Sequence, residues 1–216
     1  MQLTEQERRI IAARVAALES RTGTQVVTAV IGKSDSYPEA PWKAFALGAG
    51  VAALTVVIWQ LAGGDWPADL SRMAHVLVIL ASGAFLALLT ILWPAFARLF
   101  VDGTRRDVEV TLFAQSLFFR RGLDRTRGRV GILLLVSLFE RKVVLLADEG
   151  FEGRIDAPDW GVLTRRITLL VRHGSTAIAL RAGLDGMEAM LLERGFCAPG
   201  KGNELPDAVL EMRGPR

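Results

Sequence analysis

Several things are scarce in this chain of 216 residues, and each scarcity closes off a class of function. A single cysteine, Cys197, excludes an internal disulfide and a cysteine-ligated zinc cluster. The two histidines, His75 and His173, lie at the ends of separate segments and have no neighbours of the kind a triad or a zinc site needs. No GxSxG nucleophile elbow occurs. Gly32-Lys33-Ser34 has the ending of a P-loop, but Val27 stands where the first glycine belongs, so no phosphate cradle forms. The net charge is only +3, and the basic residues are not interleaved with stacking aromatics, which argues against nucleic acid as a partner. The opening stretch, MQLTEQERRIIAARV, carries charges of both signs and never reaches an apolar h-region, so no secretory signal is expected.

What the chain has in plenty is apolar sequence. Hydrophobic residues make up 51% and mean hydropathy is +0.32, the mixture expected of a soluble part joined to a few membrane spans. Ala44–Ala62 and Met73–Ala97 contain no charged residue. Each is long enough to cross the hydrocarbon layer, which takes about 20 apolar residues as a helix. Trp42, Trp59, Trp66 and Trp93 lie near the segment ends, where an indole keeps its ring apolar and its N–H wet. The link Gly63–Arg72 is short, so the two spans form an antiparallel hairpin. Small residues, among them Gly48 and Gly50 on the first span and Gly83 on the second, would let the helices approach closely. Lys33, Lys43, Arg98, Arg105 and Arg106 lie on the side of the termini, against Arg72 in the link. That bias predicts a two-pass protein of the inner (cytoplasmic) membrane with both termini cytoplasmic.

On either side of the hairpin the pattern changes. Thr4 to Glu7 has capping-box form, with Ile11, Val15 and Leu18 following at helical spacing and Gly23 suited to the helix end. Thr24–Ile31 is rich in β-branched residues and reads as a strand. After the spans, Thr104 to Asp107 opens a second helix with an apolar stripe of Val108, Leu112 and Phe119, stopped by Gly122. Val130–Leu138 is almost continuously apolar, as a strand covered on both faces must be. A turn through Phe139-Glu140-Arg141 leads to a partner strand, Lys142–Ala147. Two more helices follow, one with Trp160, Leu163, Ile167 and Val171 on a face, the other with Leu180, Leu184, Met187 and Leu191. The predicted class is α/β: a small mixed sheet between helices, an α/β/α sandwich interrupted by the transmembrane hairpin. Residues 1–40 are too few to fold alone, so they are expected to join 98–216 in one discontinuous domain.

Arg129–Phe151 (RVGILLLVSLFERKVVLLADEGF), Trp160 and Asn203-Glu204-Leu205-Pro206-Asp207 resemble the TPM domain, a family named from plant thylakoid-lumen and animal membrane proteins, and Leu3–Ile31 resembles its opening helix and strand. The resemblance implies a small central sheet between helices. It also implies a divalent-ion or weakly phosphatase-like site in some members, with acidic residues as ligands. Unlike members with an exported domain, this chain interrupts the domain with its spans.

Two groups of residues are candidates for a site. Asp148, Glu204 and Asp207, with Asn203 and Asp156 nearby in type, would suit calcium or magnesium if they converged, since hard cations take carboxylate oxygens. The alternative is plain turn and cap chemistry. Arg120, Arg121, Arg125, Arg127 and Arg129 crowd one loop and would suit anionic lipid headgroups; the alternative is a solvated connection. With no nucleophile, acid–base pair or cofactor fingerprint in view, the sequence points to a membrane-anchored accessory domain that contacts a membrane-protein complex. The competing expectation is a divalent-metal-dependent phosphatase-like hydrolase.

Overall fold

A computed structural model describes residues 3–64, 71–173, 175–197 and 204–214. The chain divides into two compact units: Met1–Asp35 with Arg106–Arg216, and Ser36–Arg105.

The first unit is built on a four-stranded sheet. Helix α1 (Glu5–Thr22) starts in a complete capping box, with the Thr4 hydroxyl on the Glu7 N–H and the Glu7 carboxylate on the Thr4 N–H. It stops at Gly23, which takes the left-handed conformation (φ 70°) at the cap. Strand β1 (Gln25–Ile31) lies parallel to β2 (Gly131–Ser137), with Gln25 opposite Gly131 and Ile31 opposite Ser137. Strand β3 (Lys142–Ala147) returns antiparallel to β2. A short strand from the tail, β4 (Leu210–Met212), lies parallel to β1 on its other side, giving the order β3-β2-β1-β4. The sequence pattern did not announce β4, because three residues among glycines and prolines carry no readable period.

The alternation of side chains along the strands divides the core in two. Val26, Val30, Ile132, Leu134 and Val136 face α1, α6 (Ala157–His173) and α7 (Thr176–Glu193). Val27, Ala29, Ile31, Leu133 and Leu135 face α5 (Gly103–Arg120). Both central strands are buried along their whole length. This is the predicted α/β/α sandwich. Leu163 and Ile167 on α6 and Leu180, Leu184, Met187 and Leu191 on α7 point inward, as their spacing predicts. Ion pairs from Arg14 and Arg21 to the buried Glu188 tie α1 to α7.

Helix α5 corrects the sequence reading. Val110, Ala114, Leu117 and Phe118 face the sheet, whereas Val108, Leu112 and Phe119, the apolar stripe read from the sequence, are exposed. The helix is apolar on two sides, and periodicity alone does not say which one the sheet covers.

The second unit is a helical hairpin of α2 (Glu39–Leu61) and α3 (Ser71–Leu92), long and apolar enough to cross a membrane. The predicted second span extends to Ala97, but the helix ends at Leu92. Trp93 is extended (φ −125°, ψ 96°), and Pro94 opens the short helix α4 (Pro94–Ala97). Steric conflict with the proline ring drives the preceding residue out of the helical region, so the break falls there. Near the open end, Arg105 pairs with Glu39 at 2.9 Å and Lys43 donates to the Phe100 carbonyl at 3.1 Å. Within the hairpin, a Cβ on Gly48 would lie 2.7 Å from the Ser82 carbonyl oxygen and one on Gly83 2.8 Å from the Phe45 ring, so both mark the crossing. A Cβ on Gly50, also expected there, would meet nothing within 4 Å outside its own helix backbone. Gly48→Leu should therefore force the helices apart, while Gly50→Leu should leave them packed. Disulfide trapping between cysteines placed on α2 and α3 reads the difference, and equal trapping in both variants would contradict the crossing.

Candidate functional site

Polar groups gather at one edge of the sheet, where β1 and β2 begin and β3 ends. The Asp148 N–H donates to the Gly131 carbonyl at 3.0 Å, which sets Asp148 directly beside the start of β2. The loop before β2 wraps closely here: a Cβ on Gly131 would stand 2.3 Å from the Leu123 carbonyl oxygen, and one on Gly150 2.4 Å from that of Gly128. Only glycine permits that approach.

Each acid in the predicted metal set has its own partner at this edge. Asp148 is buried and accepts from Arg129 through both Nε and Nη2, at 3.0 to 3.3 Å, in the forked geometry typical of guanidinium–carboxylate pairs. It also accepts from the Glu149 N–H at 2.9 Å, capping the turn that follows β3. The Asp148 hydrogen bonds push the Arg129 guanidinium further up from its ordinary pKa. Glu204 accepts from the Arg127 N–H at 3.2 Å, while its own N–H and that of Leu205 donate to the buried Gln25 Oε1 at 2.8 and 3.1 Å. Asp207 lies next to Glu19. Asn203 falls outside the described residues.

A calcium or magnesium ion wants six or more oxygens from a converging set. Among the described residues no group of three or more His, Cys, Asp or Glu side chains stands together as such a set. The described acids do not converge as a hard divalent cation requires. The topology brings the three acids to one sheet edge but distributes them among separate partners. That edge is the amino end of the parallel strands β1 and β2, not the carboxyl end where open α/β sheets usually take ligands.

Sequence reasoning passed over Glu19. It sits four residues after Val15, within the stripe of α1 that faces the core, and it is buried. One oxygen accepts the Val26 N–H at 2.6 Å at the start of β1. Burial, and to a smaller degree the neighbouring Asp207 carboxylate, push its pKa up to about 8 despite that hydrogen bond. At neutral pH the pair therefore holds a neutral Glu19 beside Asp207. The signal was available: an acid interrupting an apolar stripe needs a reason.

A second buried carboxylate, Glu140, stands at the opposite edge, in the turn between β2 and β3. It accepts from the Ser34 N–H at 2.8 Å and from the hydroxyls of Ser34 and Ser137. It thereby joins the segment leaving β1 to the end of β2.

Of the five predicted anion-binding arginines, Arg129 is engaged by Asp148, with Glu149 also within 3.4 Å. Arg120, Arg121, Arg125 and Arg127 are exposed, and the Arg120 guanidinium lies 5.9 Å from the centre of the Phe113 ring.

Compared with known proteins, residues 97–190 match the TPM domain family. The matched segment contains Arg129–Phe151 and Trp160, two of the features behind the resemblance read from the sequence; Leu3–Ile31 and 203–207 lie outside it. Among solved structures the chain is similar to the BA42 protein of the psychrophilic bacterium Bizionia argentinensis, at 14% identity and a TM-score of 0.56, over 98% of this chain and 96% of that one. At that identity the likeness is one of fold. No curated protein matches the chain.

Proposed function

Taking as premise that this chain carries a TPM domain across residues 97–190, we propose that it is a two-pass inner-membrane protein in which that domain is an accessory module for a membrane-protein complex. One observation carries the reading. In each of α2 and α3 only 11% of the most apolar 18-residue window is buried, so side chains such as Leu54, Ile58, Leu77, Leu88 and Ile91 face outward. Such a surface is stable in lipid and costly in water. The excess of Lys33, Lys43, Arg98, Arg105 and Arg106 over Arg72 supports cytoplasmic termini. A partner is supported by a groove of about 750 Å³ along the hairpin, lined by Leu47, Val51 and Phe85 with Thr55 and Ser82 among them. Apolar walls with a few hydroxyls suit another transmembrane helix, packed by shape and small polar contacts.

The protein is expected to stay in the pellet after alkaline carbonate extraction and to need detergent for release. A photo-crosslinker at Val51 or Phe85 is expected to capture a membrane protein. Release into the carbonate supernatant ends the anchoring proposal; crosslinks to lipid alone end the proposal of a partner.

A further inference from the structure

We propose that the outer face of α5 lies flat on the anionic surface of the bilayer, with its apolar side chains among the lipid headgroups and acyl ends. The inference rests on the anchoring reading above. Val108, Leu112 and Phe119 are 49%, 53% and 64% exposed, although the opposite side of the same helix is packed into the sheet. At 100° per residue the three fall on one stripe, with Gln115 and Ser116 between them and Glu109, half-buried, at its margin. An isolated exposed leucine needs no explanation, but a stripe that runs most of the length of an 18-residue helix, about 27 Å, does.

Three observations choose lipid as the occupant. Four exposed arginines, Arg120, Arg121, Arg125 and Arg127, follow the stripe along the chain, and among the described residues their one ion-pair contact is that of Arg125 with Asp124, at 3.9 Å. An apolar stripe finished by a basic cluster matches a bilayer surface, apolar below and anionic above. The chain supplies the location as well, because α5 begins at Gly103, only a few residues beyond the last apolar helix, Pro94–Ala97. A second copy packed in parallel on the stripe would set the two arginine clusters against each other, and one packed antiparallel would leave both clusters without an acidic partner.

The test uses the full chain with Cys197→Ser, carrying an environment-sensitive fluorophore on Leu112→Cys or Phe119→Cys. Ile178→Cys serves as control: Ile178 is equally exposed, at 61%, but lies on α7, across the sheet from α5. The protein is reconstituted into phosphatidylcholine vesicles with and without phosphatidylglycerol, doped with a nitroxide-labelled lipid. The expected result is several-fold stronger quenching at Leu112 and Phe119 than at Ile178 in the anionic vesicles. That difference should fall in neutral vesicles, at high salt, and when the four arginines are replaced by glutamine. Quenching no stronger than at Ile178 overturns the proposal. So does a blue-shifted label that the nitroxide lipid cannot reach, which would mean that protein covers the stripe. A chain that fails to co-float with vesicles at all refutes the anchoring instead.

Discussion

Replacing Glu140 with alanine is expected to destabilise the α/β unit by about 3–5 kcal/mol, because three donors lose one shared charged acceptor and hydrogen bonds to charged groups contribute about 1.5–3 kcal/mol each without adding fully. The donors are the Ser34 N–H, the Ser34 hydroxyl and the Ser137 hydroxyl, and Ser34, Ser137 and Glu140 are all buried. Alanine offers them nothing. The consequence reaches beyond one turn, since Ser34 is where the chain leaves β1 for the hairpin and Ser137 is where β2 ends. Glu140→Gln keeps the shape and one oxygen, and the serine hydroxyls can rotate to accept from the new amide. Its expected loss is smaller, about 1–2 kcal/mol. Denaturant unfolding of the detergent-solubilised full chain, followed through the buried amides of β1 by hydrogen exchange, measures both. A loss under about 1 kcal/mol in the alanine variant would show that the carboxylate does not hold these three donors, given the usual cost of unpairing even one.

Glu19 is expected to make the domain less stable as the solution becomes alkaline. Its pKa is about 8 in the folded protein against an ordinary 4.5, so the folded state holds the proton more tightly. That stability is fully present below pH 4.5 and is lost as pH rises through about 8. Each pH unit in that window removes at most about 1.4 kcal/mol, so the whole effect is a few kcal/mol. Glu19→Gln imitates the protonated form and keeps an oxygen for the Val26 N–H, which Glu19 accepts at 2.6 Å. The variant should match the parent near pH 5 and exceed it clearly at pH 8.5, with a flatter dependence between. Asp207→Asn should lower the pH at which the parent's loss ends and make the total loss smaller, because the Asp207 charge is one of the causes that raise Glu19 now. Thermal unfolding across that range in the same detergent decides the matter. Parallel curves for parent and Glu19→Gln would mean that Glu19 ionises normally.

Much of this protein was legible before any coordinates. Thr4, Glu7 and Gly23 bounded α1 because caps are local chemistry, satisfied by residues three or four positions away. The continuous apolar run of β2 announced a strand covered on both faces, and charge-free length announced α2 and α3. Arg129–Phe151, Trp160 and Asn203 to Asp207, with Leu3–Ile31, carried the family resemblance, and the first two lie within the matched residues 97–190. Less legible were the relations between distant residues. Nothing local distinguishes Val110 and Ala114 from Val108 and Leu112 as the inward side of α5, and three residues of β4 gain their strand character only from β1 beside them.

The acids show the same division. Sequence proposed Asp148, Glu204 and Asp207 from their type alone, and that type is equally suited to a metal, a turn or an ion pair. By itself the amino-acid sequence determined the two apolar helices and the α/β order, because hydrophobic length, period and capping act over a few residues. Only the tertiary structure decided that Asp148 belongs to Arg129, that Glu19 is held neutral beside Asp207, and that Glu140 gathers two serines more than a hundred residues apart. Hydrogen-bond partners and burial depend on which segments the fold brings together, and those are properties of distance in space rather than along the chain.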